Sequence, residues 1–290
     1  MTPRSWLFVP GDAAAKIEKA TNSGADALIL DLEDSVALSR KDEARSIVAA
    51  ALRHDARKNG LQFWVRVNPF SSGLTQRDLI AVTGAVPDGI VLPKSESGAD
   101  AATLSAYLGD LEAAAGLTHG QTKILPIATE TPLSIFNLGT YNQSGGRLIG
   151  LTWGAEDLPA AVGATASRNA DGSLSDLCRL ARSLCIAGAA VADVAAIDTV
   201  YPDFRDLEGL RAYAAQGRRD GFTGMMAIHP AQVAVINEVM SPTADEILHA
   251  RKIIQMFETN PDAGVVSIDG KMIDLPHLKQ ARRIVAAMRA

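Results

Sequence analysis

The 290-residue sequence predicts an α/β fold, a TIM (β/α)8 barrel with a C-terminal helical extension, on three observations. Strand-length apolar runs recur eight times, starting 22 to 48 residues apart. Segments long enough for a crossover helix separate them, and such alternation over about 250 residues is the layout of a (β/α)8 barrel. Polar and charged residues gather directly after the apolar runs, at the end of the strands where barrels carry their active sites. A doubly wound open sheet is the alternative architecture.

In chain order, strands are expected at 5–10, 27–32, 63–68, 89–94, 123–129, 147–153, 195–201 and 224–229. They are apolar almost throughout, as parallel strands buried on both faces must be. Crossover helices are expected at 13–23, 41–59, 75–86, 99–115, 132–141, 174–188 and 206–220. The strands end in turn on Val9-Pro-Gly-Asp12, Asp31-Leu-Glu-Asp34, Arg66-Val-Asn-Pro69, Pro93-Lys94, Glu130, Asp157, Tyr201-Pro-Asp203 and His229-Pro230, so one mouth collects charges of both signs. Beyond them lie a helix at 244–258, an apolar run at 265–268, the segment Asp269-Gly-Lys-Met-Ile-Asp274 and a final helix near 278–289. This tail exceeds what closing a barrel requires. The expected division is therefore a catalytic barrel over 1–235 and a lid or subunit-contact extension over 236–290.

With 47% hydrophobic residues the chain can bury a large core, and a net charge of −5 without a basic block points away from nucleic acid and anionic membranes. No apolar run reaches the length of a membrane span, and no signal-peptide pattern opens the chain, so a cytoplasmic protein working on small molecules is expected. Cys178 and Cys185, seven residues apart in a helix-like segment, lie on one face without disulfide or metal-motif geometry.

Two segments share one layout. Arg147-Leu-Ile-Gly-Leu-Thr-Trp-Gly-Ala-Glu-Asp157 is an apolar run that breaks at Gly154 and ends in acids, and Lys123-Ile-Leu-Pro-Ile-Ala-Thr-Glu130 precedes Thr131-Pro132. On neighbouring strands Glu130 and Asp157 would share one hard divalent cation, because Mg²⁺ is usually held by one or two carboxylates with water and substrate oxygens completing its shell. The competing reading has Glu130 capping the next helix and Asp157 paired with an arginine.

Eight short segments, in order along nearly the whole chain, resemble the citrate lyase β-subunit-like (CitE-like) family of HpcH/HpaI aldolases, of malyl-CoA and citramalyl-CoA lyase type. They are Arg4-Ser-Trp-Leu-Phe-Val-Pro-Gly11, Asp31-Leu-Glu-Asp-Ser-Val36, Val65-Arg-Val-Asn-Pro69, Leu92-Pro-Lys94, Glu130-Thr131, Gly154-Ala-Glu-Asp-Leu158, Ile228-His-Pro-Ala-Gln232 and Gly270-Lys-Met-Ile-Asp274. The resemblance implies Mg²⁺, a homotrimer or hexamer, and cleavage of a 3-hydroxyacyl-CoA to acetyl-CoA and a 2-oxoacid. The alternatives are a citryl-cleaving subunit of a multisubunit lyase and a metal aldolase acting on a free hydroxy-oxoacid. One departure from the pattern is Met225, where a lysine is expected, which would remove a contact to a phosphate or a neighbouring chain.

Roles follow from that chemistry. Glu130 and Asp157 hold the metal, and Arg66, charged at any working pH, stabilises the enolate oxygen. By resemblance Asp274 exchanges the proton of the enolate carbon, although Ile273-Asp-Leu-Pro276 also reads as a helix start with Asp274 as its N-cap. Glu33 and Asp34 serve as outer acceptors for metal-bound water or for Arg66, while Asn68 and Lys94 hydrogen-bond substrate or, for the lysine, form a salt bridge. For CoA phosphates the first strand and helix offer Pro10, Lys16, Lys19 and Arg4, with Gly11 allowing close approach of backbone. His229 shapes a turn or acts as a base, and Trp6, Trp64 and Trp153 belong to the core or a pocket wall.

Overall fold

A computed structural model describes residues 2–54, 60–261 and 263–288. They form two compact units, residues 2–237 and a C-terminal unit from residue 238. The first holds eight parallel strands, β1 (Ser5–Pro10), β2 (Ala27–Asp31), β3 (Gln62–Arg66), β4 (Gly89–Leu92), β5 (Lys123–Pro126), β6 (Gly150–Thr152), β7 (Ala195–Asp198) and β8 (Gly224–Ala227). Their order is β5-β4-β3-β2-β1-β8-β7-β6. Single parallel bridges, Ile124 to Leu148 and Ile127 to Thr152, join the two outer strands and close the ring. This is the expected TIM barrel.

Side-chain alternation fills the ring. Trp6, Ile29, Trp64, Val91, Leu125, Ile127, Ile197 and Met226 form the interior cluster, since residues two apart on a strand share a face. Trp6 and Trp64 meet edge to face with centroids 5.0 Å apart, and the Trp64 ring fits only because its neighbour on β4 is Gly89, where a Cβ would lie 2.1 Å from the indole.

Around the barrel run α1 (Ala14–Ala20), α2 (Lys41–Arg53), α3 (Thr75–Val82), α4 (Gly98–Ala114), α5 (Pro132–Asn137), α6 (Asp157–Ala161), α7 (Asp176–Val191), α8 (Leu207–Asp220) and α9 (Pro230–Val239). Ser97, Thr131, Ser175 and Asp206 start four of them by accepting a backbone N–H with the side chain. All strands but the first are shorter than expected at one or both ends, because the polar residues after each apolar run have already left the ladder for the mouth. The helix expected over 41–59 is seen to Arg53, and its last expected residues, 55–59, lie outside the described ones. Two helices were not expected. The five-residue α6 carries Asp157, and α9, which Pro230 opens directly after the expected end of β8, has apolar residues at 231, 233–236 and 239 that follow no single helical face. Cys178 and Cys185 are buried and unbridged. Among the described residues no helix is long and apolar enough to cross a membrane.

The C-terminal unit has its own core. Here α10 (Ala244–Thr259) and α11 (Leu275–Ala286) pack with the hairpin of β9 (Val265–Ile268) and β10 (Lys271–Asp274) around Ile253, Phe257, Ile268, Ile273 and Leu278. Asp269 and Gly270 turn the hairpin with φ of 53° and 76°, the positive pair that a tight two-residue connection needs. Arg289, the last residue expected in the final helix, lies outside the described residues.

Buried ion pairs brace the helix layer against the strands. Arg147, just before β6, donates from Nη1 at 2.8 Å and Nη2 at 2.7 Å to the two oxygens of Glu112 on α4, both residues being buried. Burial opposes the Glu112 charge, but Arg147 and the N–H groups of Thr122 and Gly120 outweigh it and draw the carboxyl down to about 2. Its contribution to stability is therefore complete above the ordinary value of 4.5 and is lost as pH falls through about 2. Glu112→Ala, which strands the guanidinium, is expected to cost about 3–5 kcal/mol in urea unfolding at neutral pH. A loss below about 1 kcal/mol would mean that water reaches Arg147.

Candidate active site

The C-terminal ends of β2 to β6 place Asp31, Arg66, Lys94, Glu130 and Asp157 around one mouth. Parallel register sets Asp31 beside Arg66, each the last residue of its strand. Arg66 donates from Nε to Asp31 Oδ1 at 2.7 Å and from Nη2 to Oδ2 at 2.8 Å, a bidentate fork. Asp31 is itself fixed, accepting the N–H groups of Glu33 at 2.9 Å and Ser35 at 3.1 Å. The Phe8 ring lies 4.9 Å from the guanidinium carbon. Burial disfavours the Arg66 charge, and Asp31 more than compensates, raising the guanidinium above its ordinary value.

Glu33 is divided between two cations. Its Oε1 accepts from Lys94 Nζ at 2.6 Å, and its Oε2 lies 2.9 Å from Arg66 Nη1 without the alignment of a hydrogen bond. Burial lifts its carboxyl above the ordinary range despite both partners. Asp34 is mostly exposed and stands 3.9 Å from Arg66 and 3.8 Å from Lys94. Glu33 and Asp34, the expected acceptors, both stand within ion-pair distance of Arg66, and Asp31, which was not assigned to it, makes the fork while Asp34 stays at the rim. The register of the two strand ends was the signal that would have found Asp31.

Lys94 follows β4 with a left-handed φ of 52°. That conformation aims its N–H at Glu130 Oε2, 2.5 Å away, while its ammonium stands 3.4 Å from Asp157 Oδ1. Glu130 is buried, and burial together with the Asp157 and Glu33 charges pushes its carboxyl up to about 8 against the Lys94 N–H. It does not cap α5, whose N-cap is Thr131. Gly154 makes room for it, since a Cβ there would lie 2.8 Å from Glu130 Cγ and 3.2 Å from Oε1. Asp157 lies not at the end of β6, as expected, but on the first turn of α6, with its carboxylate about one-third exposed.

A buried carboxylate with its charge suppressed by neighbouring acids, beside a second and more open one, is a donor set suited to a hard divalent cation. No cluster of three or more His, Cys, Asp or Glu able to hold a metal occurs among the described residues, so a cage of the zinc type is absent there, whereas Mg²⁺ needs only one or two carboxylates.

Other expected residues have different uses. Asn68 is buried, with its side-chain nitrogen donating to Leu32 O at 2.9 Å and Asp78 Oδ2 at 2.7 Å, so it braces loops. Arg4 precedes β1 at the opposite end of the barrel and is paired with Asp26, which removes it from a phosphate site at the mouth. Gly11 approaches β2, its N–H donating to Asp31 O at 2.8 Å, rather than standing free for a ligand. Pro10 ends β1, and Lys16 and Lys19 are exposed on α1. His229 stacks on Phe204 and accepts the N–H of Ala231, the geometry of a turn. Met225 is buried on β8 next to the inward Met226, so it faces the helix layer. A lysine at that position would point away from the mouth, and the expected loss of a phosphate contact does not arise. Asp274 belongs to the C-terminal unit, where it caps α11 and is held by His277, whose bond lowers its carboxyl pKa.

A closed parallel barrel with acids, an arginine and a lysine at the C-terminal ends of its strands defines an enzyme of the TIM-barrel class. Residues 4–230 match the family model HpcH/HpaI aldolase/citrate lyase, and the chain belongs to that family. It is 36% identical to the citrate lyase subunit beta of Haemophilus influenzae over 97% of this chain and 95% of that protein. It is 34% identical to the mitochondrial citramalyl-CoA lyase of Mus musculus over 97% and 85%. The crystal structure of the protein CitE of Mycobacterium tuberculosis in complex with magnesium, acetoacetate and coenzyme A superposes with a TM-score of 0.79 at 29% identity, covering 98% of this chain and 97% of that one. The protein is a lyase of this family.

The raised pKa of Glu130 has a direct consequence for stability. Between the ordinary value of 4.5 and about 8 the folded protein retains a proton that the unfolded chain has released. In EDTA, stability should therefore fall as pH rises through that window, by an amount on the order of a few kcal/mol. Denaturation midpoints from pH 5 to pH 9 should carry this slope in the wild type and lose most of it in Glu130→Gln; identical slopes would assign the effect to other groups.

Proposed function

We propose that the enzyme cleaves a 3-hydroxyacyl-CoA bearing a carboxylate next to its hydroxyl carbon, citramalyl-CoA or malyl-CoA, to acetyl-CoA and pyruvate or glyoxylate, with Mg²⁺ held by Glu130 and Asp157. The observation that carries this reading is the Glu130 carboxylate, buried beside Asp157 and Lys94 with an Asp31-locked Arg66 across the mouth. When bound, Mg²⁺ supplies Lewis-acid polarisation of the substrate's hydroxyl and carboxylate oxygens. The hydroxyl gives up its proton to water at the mouth and becomes the carbonyl of the 2-oxoacid, the carbon–carbon electron pair passes to the thioester as an enolate, and the enolate carbon takes up a proton. Arg66 donates to the enolate oxygen with the guanidinium hydrogens that Asp31 and Glu33 leave unused. Asp31 keeps those hydrogens pointed at the mouth. For the proton delivered to carbon we propose Asp274, whose N-cap position need not exclude catalysis.

The citrate lyase subunit beta relative favours a second reading, a citryl-thioester lyase that works with partner subunits. One assay separates them. Purified protein with Mg²⁺ should release a 2-oxoacid from citramalyl-CoA or malyl-CoA without any other chain, and EDTA should stop it. Silence on both thioesters, with Mg²⁺ present, would remove the first reading. Arg66→Lys should lower kcat by about 10²–10³, and Asp274→Asn should lower turnover while leaving Mg²⁺ affinity unchanged. Equal loss of both by Asp274→Asn would instead make Asp274 a folding or ligand residue.

A further inference from the structure

Lys94 touches four acids of the mouth. Its N–H holds Glu130, its ammonium bonds Glu33, and the same ammonium stands 3.4 Å from Asp157 and 3.8 Å from Asp34. The backbone that allows this is left-handed, φ 52°, at a residue with a full side chain. Such a conformation costs about 1 kcal/mol or more and persists where surrounding contacts over-determine it, typically at functional sites. Burial works against the ammonium, but Glu33, Glu130 and Asp157 hold it above its ordinary value, so its charge is constant at any pH where the enzyme works.

We infer that Lys94 sets the affinity of the Glu130–Asp157 pair for its divalent ion: its ammonium is a resident cation that opposes a bare Mg²⁺ and makes tight binding depend on an anionic ligand. The inference rests on the metal reading above. A divalent ion on Asp157 sits beside a fixed positive charge on the same carboxylate, and even with water-like screening that repulsion weakens binding by about a factor of ten. The carboxylate of a 2-oxoacid placed near the ammonium offsets the added charge, so the metal and the oxoacid each raise the affinity of the other. Asp157 would thus be shared between two cations rather than committed to one.

Calorimetric titration of metal-stripped protein with MgCl₂ tests this without any turnover. Lys94→Met should bind Mg²⁺ about tenfold more tightly than the wild type, and Lys94→Arg, which keeps the charge, should bind as the wild type does. Lys94→Gly removes the ammonium and is at ease in the left-handed region; it carries the same expectation if the methionine variant does not fold. Binding by Lys94→Met where the wild type shows none would also support the inference. Equal or weaker binding by the charge-deleted variants overturns it and makes Lys94 a brace for the metal ligands, leaving the metal reading intact. Absence of Mg²⁺ uptake by wild type and every variant would remove both.

Discussion

The mouth of this barrel depends on the fork between Arg66 and Asp31. A permanently charged guanidinium that is mostly buried is tolerated there because a fully buried carboxylate meets it with two aligned bonds. Register supplies that alignment: the two residues close adjacent parallel strands at the same height. Everything around the fork follows from it. Glu33 is turned toward the unused side of Arg66 and so is available to Lys94, and the Lys94 backbone then reaches Glu130.

The mouth is also a problem in charge. Asp31, Glu33, Asp34, Glu130 and Asp157 face two cations, Arg66 and Lys94, and the imbalance falls on the most buried unshielded acid, Glu130. A protein optimised only for stability would not bury a carboxylate among carboxylates. Gly154 shows that the chain has made room for it there, since any side chain at that position would strike the Glu130 carboxylate stem. Stored electrostatic stress of this kind marks active sites more often than structural ones.

Much of the architecture was legible in the sequence because buried parallel strands read as unbroken apolar runs, and acids placed just after them can be assigned to one face without coordinates. Glu130 was placed at the mouth in that way, and Arg66 by the same rule applied to a basic residue. What the sequence hides is pairing. Glu33 and Asp34 are the expected partners of Arg66 until register sets Asp31 against it, and Asn68 looks like a mouth residue until α3 brings Asp78 against it. The left-handed turn at Lys94 has no glycine to announce it. Helix α9 was missed although Pro230 opens it, because the apolar residues after it follow no single helical face, and the facing of Met225 depends on where β8 begins its alternation.

The seam of the barrel lies between β5 and β6, where isolated bridges replace a continuous ladder and β6 is three residues long. Glu130 follows one side of that seam and Asp157 the other. Bonds still cross the seam beside the acids, from Ala128 N–H to Thr152 O at 2.8 Å and from Gly154 N–H to the Thr129 hydroxyl at 3.2 Å. The two proposed ligands are therefore carried by one hydrogen-bonded pair of strand ends, so that a substitution on either side of the seam is transmitted to both carboxylates.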